Sequence, residues 1–181
     1  DAFNDGLAIV ALGGKYGAIN KAGEFLIQPT HQNPLLNMGE GLIAYVDKSG
    51  KFGIMDAKGN LIVPAMYTNL TSVSDGMIGF WGKTKCGYLD TKGNIVIPEM
   101  YLSVSEFYEG CAWVRQSENS AVACINKKNE VLFYLLKDEV PVGGFHNGLA
   151  LIATKKGFKY IDTENSIVYS WSLVEMDDVD L

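Results

Sequence analysis

Few residues of this chain belong to the types that carry out acid–base or nucleophilic chemistry at neutral pH. The 181 residues include 2 histidines and 3 cysteines, and no nucleophile motif or phosphate-binding loop accompanies them. The histidines are His31 and His146, and the cysteines are Cys86, Cys111 and Cys124. Neither histidine has a partner at the spacing of a metal site, and the cysteines form no CxxC pair. The sequence therefore predicts no catalytic residue, no cofactor and no metal, and an enzyme is not expected.

The cysteines leave two structural alternatives open. Cys111 and Cys124 could face each other across a hairpin and form one disulfide. In the other interpretation all three thiols are buried and act as small apolar side chains. Their odd number excludes a framework in which every cysteine is paired.

A second set of polar residues stands at regular intervals in short turns. Each turn opens with Asp or Asn and closes three residues later with Gly or Asn. The pairs are Asn20 and Gly23, Asp56 and Gly59, Asp90 and Gly93, Asn126 and Asn129, and Asp162 and Asn165. Each turn offers at most one carboxylate at these two positions, whereas calcium takes about six to eight oxygen ligands. We therefore interpret these residues as structural: the Asx side chain accepts backbone N–H groups, and the closing residue adopts a left-handed conformation.

These turns belong to a five-fold internal repeat. Each unit has an anchor glycine that precedes a short apolar run, and these glycines are Gly6, Gly41, Gly76, Gly110 and Gly148. In each unit the run, a second short strand, the Asx turn and a third β-branched strand follow in order. A period of about 35 residues is typical of a stacked or circular array of similar units.

The repeat predicts an all-β fold with five antiparallel units of about 35 residues. The predicted units are residues 3–37, 38–72, 73–106, 107–144 and 145–169, and an acidic C-terminal tail is predicted for 170–181. The last two units depart from the consensus, as terminal units of an open array do. We therefore expect an open, solenoid-like stack, and the alternative is a five-bladed β-propeller.

One departure concerns the second strand of the last unit. Lys159 stands where the first three units have Gly17, Gly53 and Gly87. A charged side chain is costly in a dry interface. This substitution predicts that the corresponding face of the last unit is hydrated and tolerates replacement of Lys159.

The charge balance disfavours two classes of partner. The net charge is −6, from 15 basic and 21 acidic residues. Nucleic acids and anionic membranes require clustered Lys and Arg, which the sequence lacks. No apolar stretch is long enough to span a membrane as a helix. We therefore expect neither a nucleic-acid partner nor a membrane-spanning segment.

Trp81 and Trp113 are the candidate binding residues. Counted in steps of two along their strands, both fall on the same face of adjacent units. Paired aromatic side chains could stack on sugar rings or hold a peptide. The alternative, which the aliphatic residues in the Trp113 column favour, is that both belong to the core.

The repeat consensus resembles a known bacterial family, the WG or KWG repeats. The best matches are residues 51–56 (Lys-Phe-Gly-Ile-Met-Asp), 59–64 (Gly-Asn-Leu-Ile-Val-Pro) with Tyr67, and 83–101. The tryptophan that names the family is replaced in every unit, by Tyr16, Phe52, Cys86, Val122 and Phe158. The resemblance implies an all-β repeat domain of exported or multidomain bacterial proteins that mediates interactions, and it implies no catalytic residue.

Taken together, these features predict a non-catalytic interaction module that presents a β-repeat surface to a protein, peptide or glycan. The alternative is a structural spacer or ancillary domain of a larger exported protein. The chain begins with Asp1 rather than Met, and with the family resemblance this favours an exported protein.

Overall fold

In a computed structural model, which describes residues 2–172, the chain consists of antiparallel sheets, and no described residue is helical. The first sheet contains β1 (Leu7–Leu12), β2 (Lys15–Asn20) and β3 (Phe25–His31). The second contains β4 (Leu36–Gly39), β5 (Leu42–Val46), β6 (Phe52–Asp56) and β7 (Leu61–Tyr67). The third contains β8 (Asn69–Leu70), β9 (Met77–Trp81), β10 (Cys86–Asp90) and β11 (Ile95–Tyr101).

The last two sheets repeat the same plan. The fourth contains β12 (Ser103–Val104), β13 (Cys111–Arg115), β14 (Val122–Asn126) and β15 (Val131–Tyr134). The fifth contains β16 (Val140–Pro141), β17 (Leu149–Thr154), β18 (Gly157–Asp162) and β19 (Ile167–Ser172). Strands lie in sequence order in each sheet. The last strand of each sheet, which is the predicted third strand of its unit, therefore forms an edge; these strands are β3, β7, β11, β15 and β19. The prediction of an all-β array of antiparallel units is confirmed.

The sheets pack face to face through four buried clusters. Each cluster joins two consecutive sheets, and one central member of each is Ile43, Phe80, Phe107 or Phe145. Among residues 2–172, no buried cluster joins the fifth sheet to the first. The described units therefore form an open array rather than a closed ring.

The anchor glycines end a tight turn that also links neighbouring units. The residue before each glycine is left-handed, with φ of 50–53°, and the glycine follows with φ of 72–78°. Two consecutive left-handed residues define a type I′ hairpin turn. The Asp75 carboxylate accepts the N–H of Gly110 at 2.6 Å, and Glu109 accepts the N–H groups of Asn147 and Gly148 at 2.6 and 2.8 Å. The acidic residue of one turn thus anchors the turn of the next unit.

The prediction of a hydrated face around Lys159 is wrong. Its Nζ lies 2.6 Å from Oε1 of Glu139, and the two side chains are 12% and 8% exposed. Glu139 lies in the connector before β16, and its carboxylate also accepts the N–H of Leu136 at 3.1 Å. The charge at Lys159 is therefore neutralised by a buried partner rather than by water.

The described chain contains no helix of the length and apolarity that a bilayer crossing requires. The strand β19 continues to Ser172. The acidic stretch of the tail predicted for residues 170–181 lies outside the described residues. The boundaries predicted for the five units within residues 3–169 stay a prediction.

Candidate functional site

The five Asx turns share one hydrogen-bond geometry. In each turn, the side-chain oxygen of the opening residue accepts backbone N–H groups two and four residues later, at 2.8–3.0 Å. The opening residues are Asn20, Asp56, Asp90, Asn126 and Asp162. The closing residues are Gly23, Gly59, Gly93, Asn129 and Asn165, all at φ of 65–84°. These residues therefore hold the backbone at the start of each third strand.

The hydrogen bonds make the turn at Asp56 sensitive to acid. The side-chain amide and the backbone N–H of Asn60 hold the pKa of Asp56 below its ordinary value. A carboxyl with a lowered pKa in the folded state stabilises the fold above its unfolded-state pKa, and this contribution disappears as the pH falls through the folded-state value.

We expect the free energy of unfolding of the variant Asp56→Asn to fall less between about pH 7 and about pH 3 than that of the parent protein. Asn20 and Asn126 occupy the equivalent position, so the amide keeps the turn while removing the titrating group. Urea unfolding at about pH 7 and about pH 3 measures the difference. The same acid-induced loss in both proteins would contradict the assignment.

The two candidate tryptophans lie in different environments. Trp113 is 5% exposed, stacks on Phe145 with a centroid distance of 5.5 Å and donates its indole N–H to the carbonyl of Gly143 at 2.9 Å. Trp113 is therefore a core residue, and the binding role considered for it does not apply because its ring is covered. Trp81 is half-buried against the cluster between the third and fourth sheets, and a binding role for it stays a prediction.

The titratable and metal-binding side chains do not converge in the described part of the chain. Cys86, Cys111 and Cys124 are free and buried, so the disulfide alternative is not what the structure contains. Burial raises the pKa of the Cys124 thiol, which disfavours the reactive thiolate. Among residues 2–172, no group of three His, Cys, Asp or Glu side chains has the arrangement of a metal site.

Exposed aliphatic and aromatic side chains recur at the start of the third strand of each unit, which is the edge strand β3, β7, β11, β15 or β19. We call this set the apolar band. Its members are Phe25, Leu26, Leu61, Ile95, Val96, Val131, Leu132, Ile167 and Val168, which are 37–69% exposed. Because each follows an Asx turn directly, all five units present the same kind of surface at the same edge of the array.

Neighbouring units are in contact through the turns that precede the apolar band. A Cβ placed on Gly93 would lie 2.6 Å from a methyl group of Val63 and 3.1 Å from one of Ile62, in the preceding unit. The hydroxyl of Tyr101 donates to Oδ1 of Asn129 in the next turn, at 2.6 Å. The turns of the third and fourth units thus pack on the third strand of the preceding unit, beside the apolar band.

A second surface feature lies on the fifth sheet. A cavity of about 420 Å³ opens on the face of this sheet that points away from the fourth. We call it the end socket, and its principal lining residues are Gly143, Gly144, His146, Leu149, Leu151 and Tyr160. It is separate from the apolar band, which lies at the strand edges. Neither surface is predictable from the sequence, because exposure is not encoded in residue type.

The solved structures most informative about this architecture are β-propeller-like proteins. Hsv2p of Kluyveromyces lactis is 12% identical, with a TM-score of 0.55 over 92% of this chain and 60% of Hsv2p. A structure described as a eukaryotic initiation factor is 14% identical, with a TM-score of 0.53 over 96% of this chain and 53% of that chain. The fold of this chain is therefore β-propeller-like, and the chain spans about 60% of Hsv2p.

The family comparison is more specific. The model of the WG containing repeat matches residues 52–80 and 87–119, which lie in the second to fourth units. Residues 52–80 and 87–119 are thus similar to the WG containing repeat, and the resemblance noted from the sequence is confirmed. A search of curated protein sequences finds no match.

The prediction that the chain is not an enzyme requires correction. Virginiamycin B lyase from Staphylococcus aureus, an enzyme, is among the similar structures: it is 18% identical, with a TM-score of 0.46 over 88% of this chain and 67% of the lyase. At this level of similarity, no activity or catalytic residue is transferred to the present chain.

Proposed function

We propose that the protein is a repeat module that binds polypeptide partners through the apolar band. The observation that carries this proposal is the exposure of apolar side chains at one equivalent position in five adjacent units. Scattered exposed apolar residues are ordinary, whereas a continuous apolar surface usually marks an interaction site. A structural spacer would have no use for such a surface.

The chemistry of the apolar band favours a polypeptide over a glycan. Apart from Phe25, its members are leucine, isoleucine and valine, which offer no flat ring for stacking on a sugar. Aliphatic patches instead desolvate the aliphatic and aromatic side chains of a protein partner. The preferred partner is therefore a segment with apolar side chains spaced to contact neighbouring units.

The turns explain how so exposed a surface stays ordered. Each band segment follows a turn whose backbone is held by two side-chain hydrogen bonds. The band residues also sit in strands paired with a well-buried neighbour: Leu61 is opposite Met55, and Ile95 is opposite Leu89. A rigid surface loses little conformational entropy when a partner binds.

The double variant Leu61→Ser/Ile95→Ser is expected to weaken peptide binding at least about tenfold, since each change removes an exposed apolar contact from the centre of the band. Peptides selected against the parent protein from a displayed random library are the probe, and their affinities are measured by fluorescence anisotropy. The band lies on the edges of the sheets, so urea melts of the double variant should stay close to those of the parent protein.

The matched control is Leu12→Ser/Leu136→Ser, which removes two comparably exposed leucines outside the apolar band. Selected peptides should bind this control as they bind the parent protein. A library that yields no binder, or binders that tolerate both double variants equally, would contradict the proposal. A glycan array that yields ligands sensitive to the band variant would replace the polypeptide with a sugar partner.

A further inference from the structure

The interfaces between units share an apolar side chain from the connector. This residue stands three positions before the anchor glycine, and in units three to five it is Val73, Phe107 or Phe145. Each packs in the cluster formed with the preceding sheet, whereas Met38 in the second unit joins the cluster with the third sheet. Connector residues at this position therefore act as plugs between sheets.

The plugs contact two defined positions of the preceding sheet. Phe107 meets the ring of Tyr88 edge-on, with a centroid distance of 4.8 Å. Phe145 stacks on Trp113 at 5.5 Å. Both plug residues are fully buried. An aromatic plug on an aromatic platform is thus the established contact between later units of this protein.

The end socket of the fifth sheet has the same platform, and no connector side chain among residues 2–172 plugs it. In the register set by the Asx turns, Tyr160 occupies the position of Tyr88, and Leu151 occupies the position of Trp113. Both line the cavity of about 420 Å³. The cavity therefore lies where a connector side chain is buried in the preceding interfaces.

The first unit carries a plug that is not buried. Phe3 stands three residues before Gly6, at the same position as Phe107 and Phe145 in their units. Its side chain is 46% exposed. In the described part of the chain, a large exposed aromatic side chain and an apolar cavity of matching repeat position thus lie at opposite ends of the array.

We propose that the end socket receives Phe3 of a second copy of this chain, so that molecules associate head to tail. The contact would extend the packing that already joins consecutive units, and it uses a surface distinct from the apolar band. Asn147 follows His146 at the rim of the cavity and stands at the position of Glu109, whose carboxylate accepts the N–H groups of the next anchor turn. The side-chain oxygen of Asn147 would accept the N–H groups around Gly6 of the second copy.

The plug comes from a second copy because the array is open. In residues 2–172 no buried cluster joins the first and fifth sheets, and the units superpose on 60% of a larger propeller-like chain. The two ends of one molecule are therefore held apart by the four interfaces between them. A contact between different surfaces of identical molecules does not close on itself at a dimer, so association should increase with concentration.

Two single variants test the contact by complementation. Phe3→Asp removes the plug and leaves the socket intact, whereas Leu151→Glu blocks the socket and leaves the plug intact. Analytical ultracentrifugation of the full chain should show concentration-dependent association of the parent protein and at least about tenfold weaker association of each variant. An equimolar mixture of the variants should form a dimer and nothing larger, because one functional plug meets one functional socket.

Three further measurements make the test decisive. Circular dichroism and thermal melts show whether Leu151→Glu is folded, and if it is not, Tyr160→Glu takes its place. Phe3→Leu keeps an apolar plug and should retain association. A parent protein that stays monomeric at millimolar concentration, variants that associate as the parent does, or a mixture of folded variants that stays monomeric would each overturn the proposal.

Discussion

Replacement of Lys159 by valine is expected to lower the free energy of unfolding by about 3–5 kcal/mol, because it leaves a buried carboxylate without its partner. The ammonium of Lys159 lies 2.6 Å from Glu139, and neither side chain is more than 12% exposed. The Glu139 carboxylate also accepts a hydrogen bond from the backbone N–H of Leu136. This single neutral donor would not compensate for the loss of the Lys159 cation. Urea denaturation of the variant and the parent protein measures the loss.

The chain offers a matched control in the same unit, four residues away from Lys159. Lys155 and Asp138 form an ion pair at 2.9 Å, but their side chains are 74% and 56% exposed. Lys155→Val should therefore change stability by no more than about 0.5 kcal/mol. The double variant Lys159→Met/Glu139→Leu should recover most of the loss, since replacing both buried charges with apolar groups is often neutral. Equal effects of the two lysine substitutions would show that the pair at Lys159 is solvated.

Gly87→Ala is expected to cost about 3 kcal/mol, at the upper end of the usual range for overpacking. A Cβ at this position would lie 2.3 Å from the carbonyl oxygen of Ile97 and 2.8 Å from the carbonyl carbon of Pro98. Both are backbone atoms of β11, so relief requires the strand itself to move. Loss of stability in thermal and urea melts is the measurement.

Gly143 provides the control for this substitution. A Cβ on Gly143 meets no atom within 4 Å, and its φ lies outside the left-handed region, so Gly143→Ala should stay within about 0.5 kcal/mol of the parent protein. Gly53 is an intermediate case, because its Cβ would meet the ring of Tyr45 at 2.6 Å, and that side chain can rotate away. A loss at Gly87 no larger than the loss at Gly143 would mean that β11 shifts freely.

These expectations reverse an inference drawn from the sequence. By residue type alone, Lys159 is a tolerant position, because a long charged side chain already fits there. The structure places Lys159, in β18, beside Glu139, which lies 20 residues earlier in the connector that leads into β16 of the same sheet. A pairing of this kind depends on how the connector lies against the sheet, and the spacing of residues along the chain does not report it.

The sequence by itself determined the repeat, the strand order within each unit and the position of the turns. These features follow from local causes: alternation of apolar side chains selects strands, and an Asx residue followed by Gly or Asn closes a turn within four residues. The turn at Asp56 and Gly59 was therefore predictable to the residue. The matches to the WG containing repeat depend on the same local pattern.

Only the tertiary structure decided which surfaces are covered. Trp113 and Tyr160 lie at equivalent faces of neighbouring sheets, yet one is buried by Phe145 and the other lines an open cavity. The difference arises because burial depends on the sheet that follows in space, and a repeat pattern is the same whether or not a neighbour is present. The open array, the apolar band and the end socket all follow from this packing between units, which acts over distances that no local sequence pattern encodes.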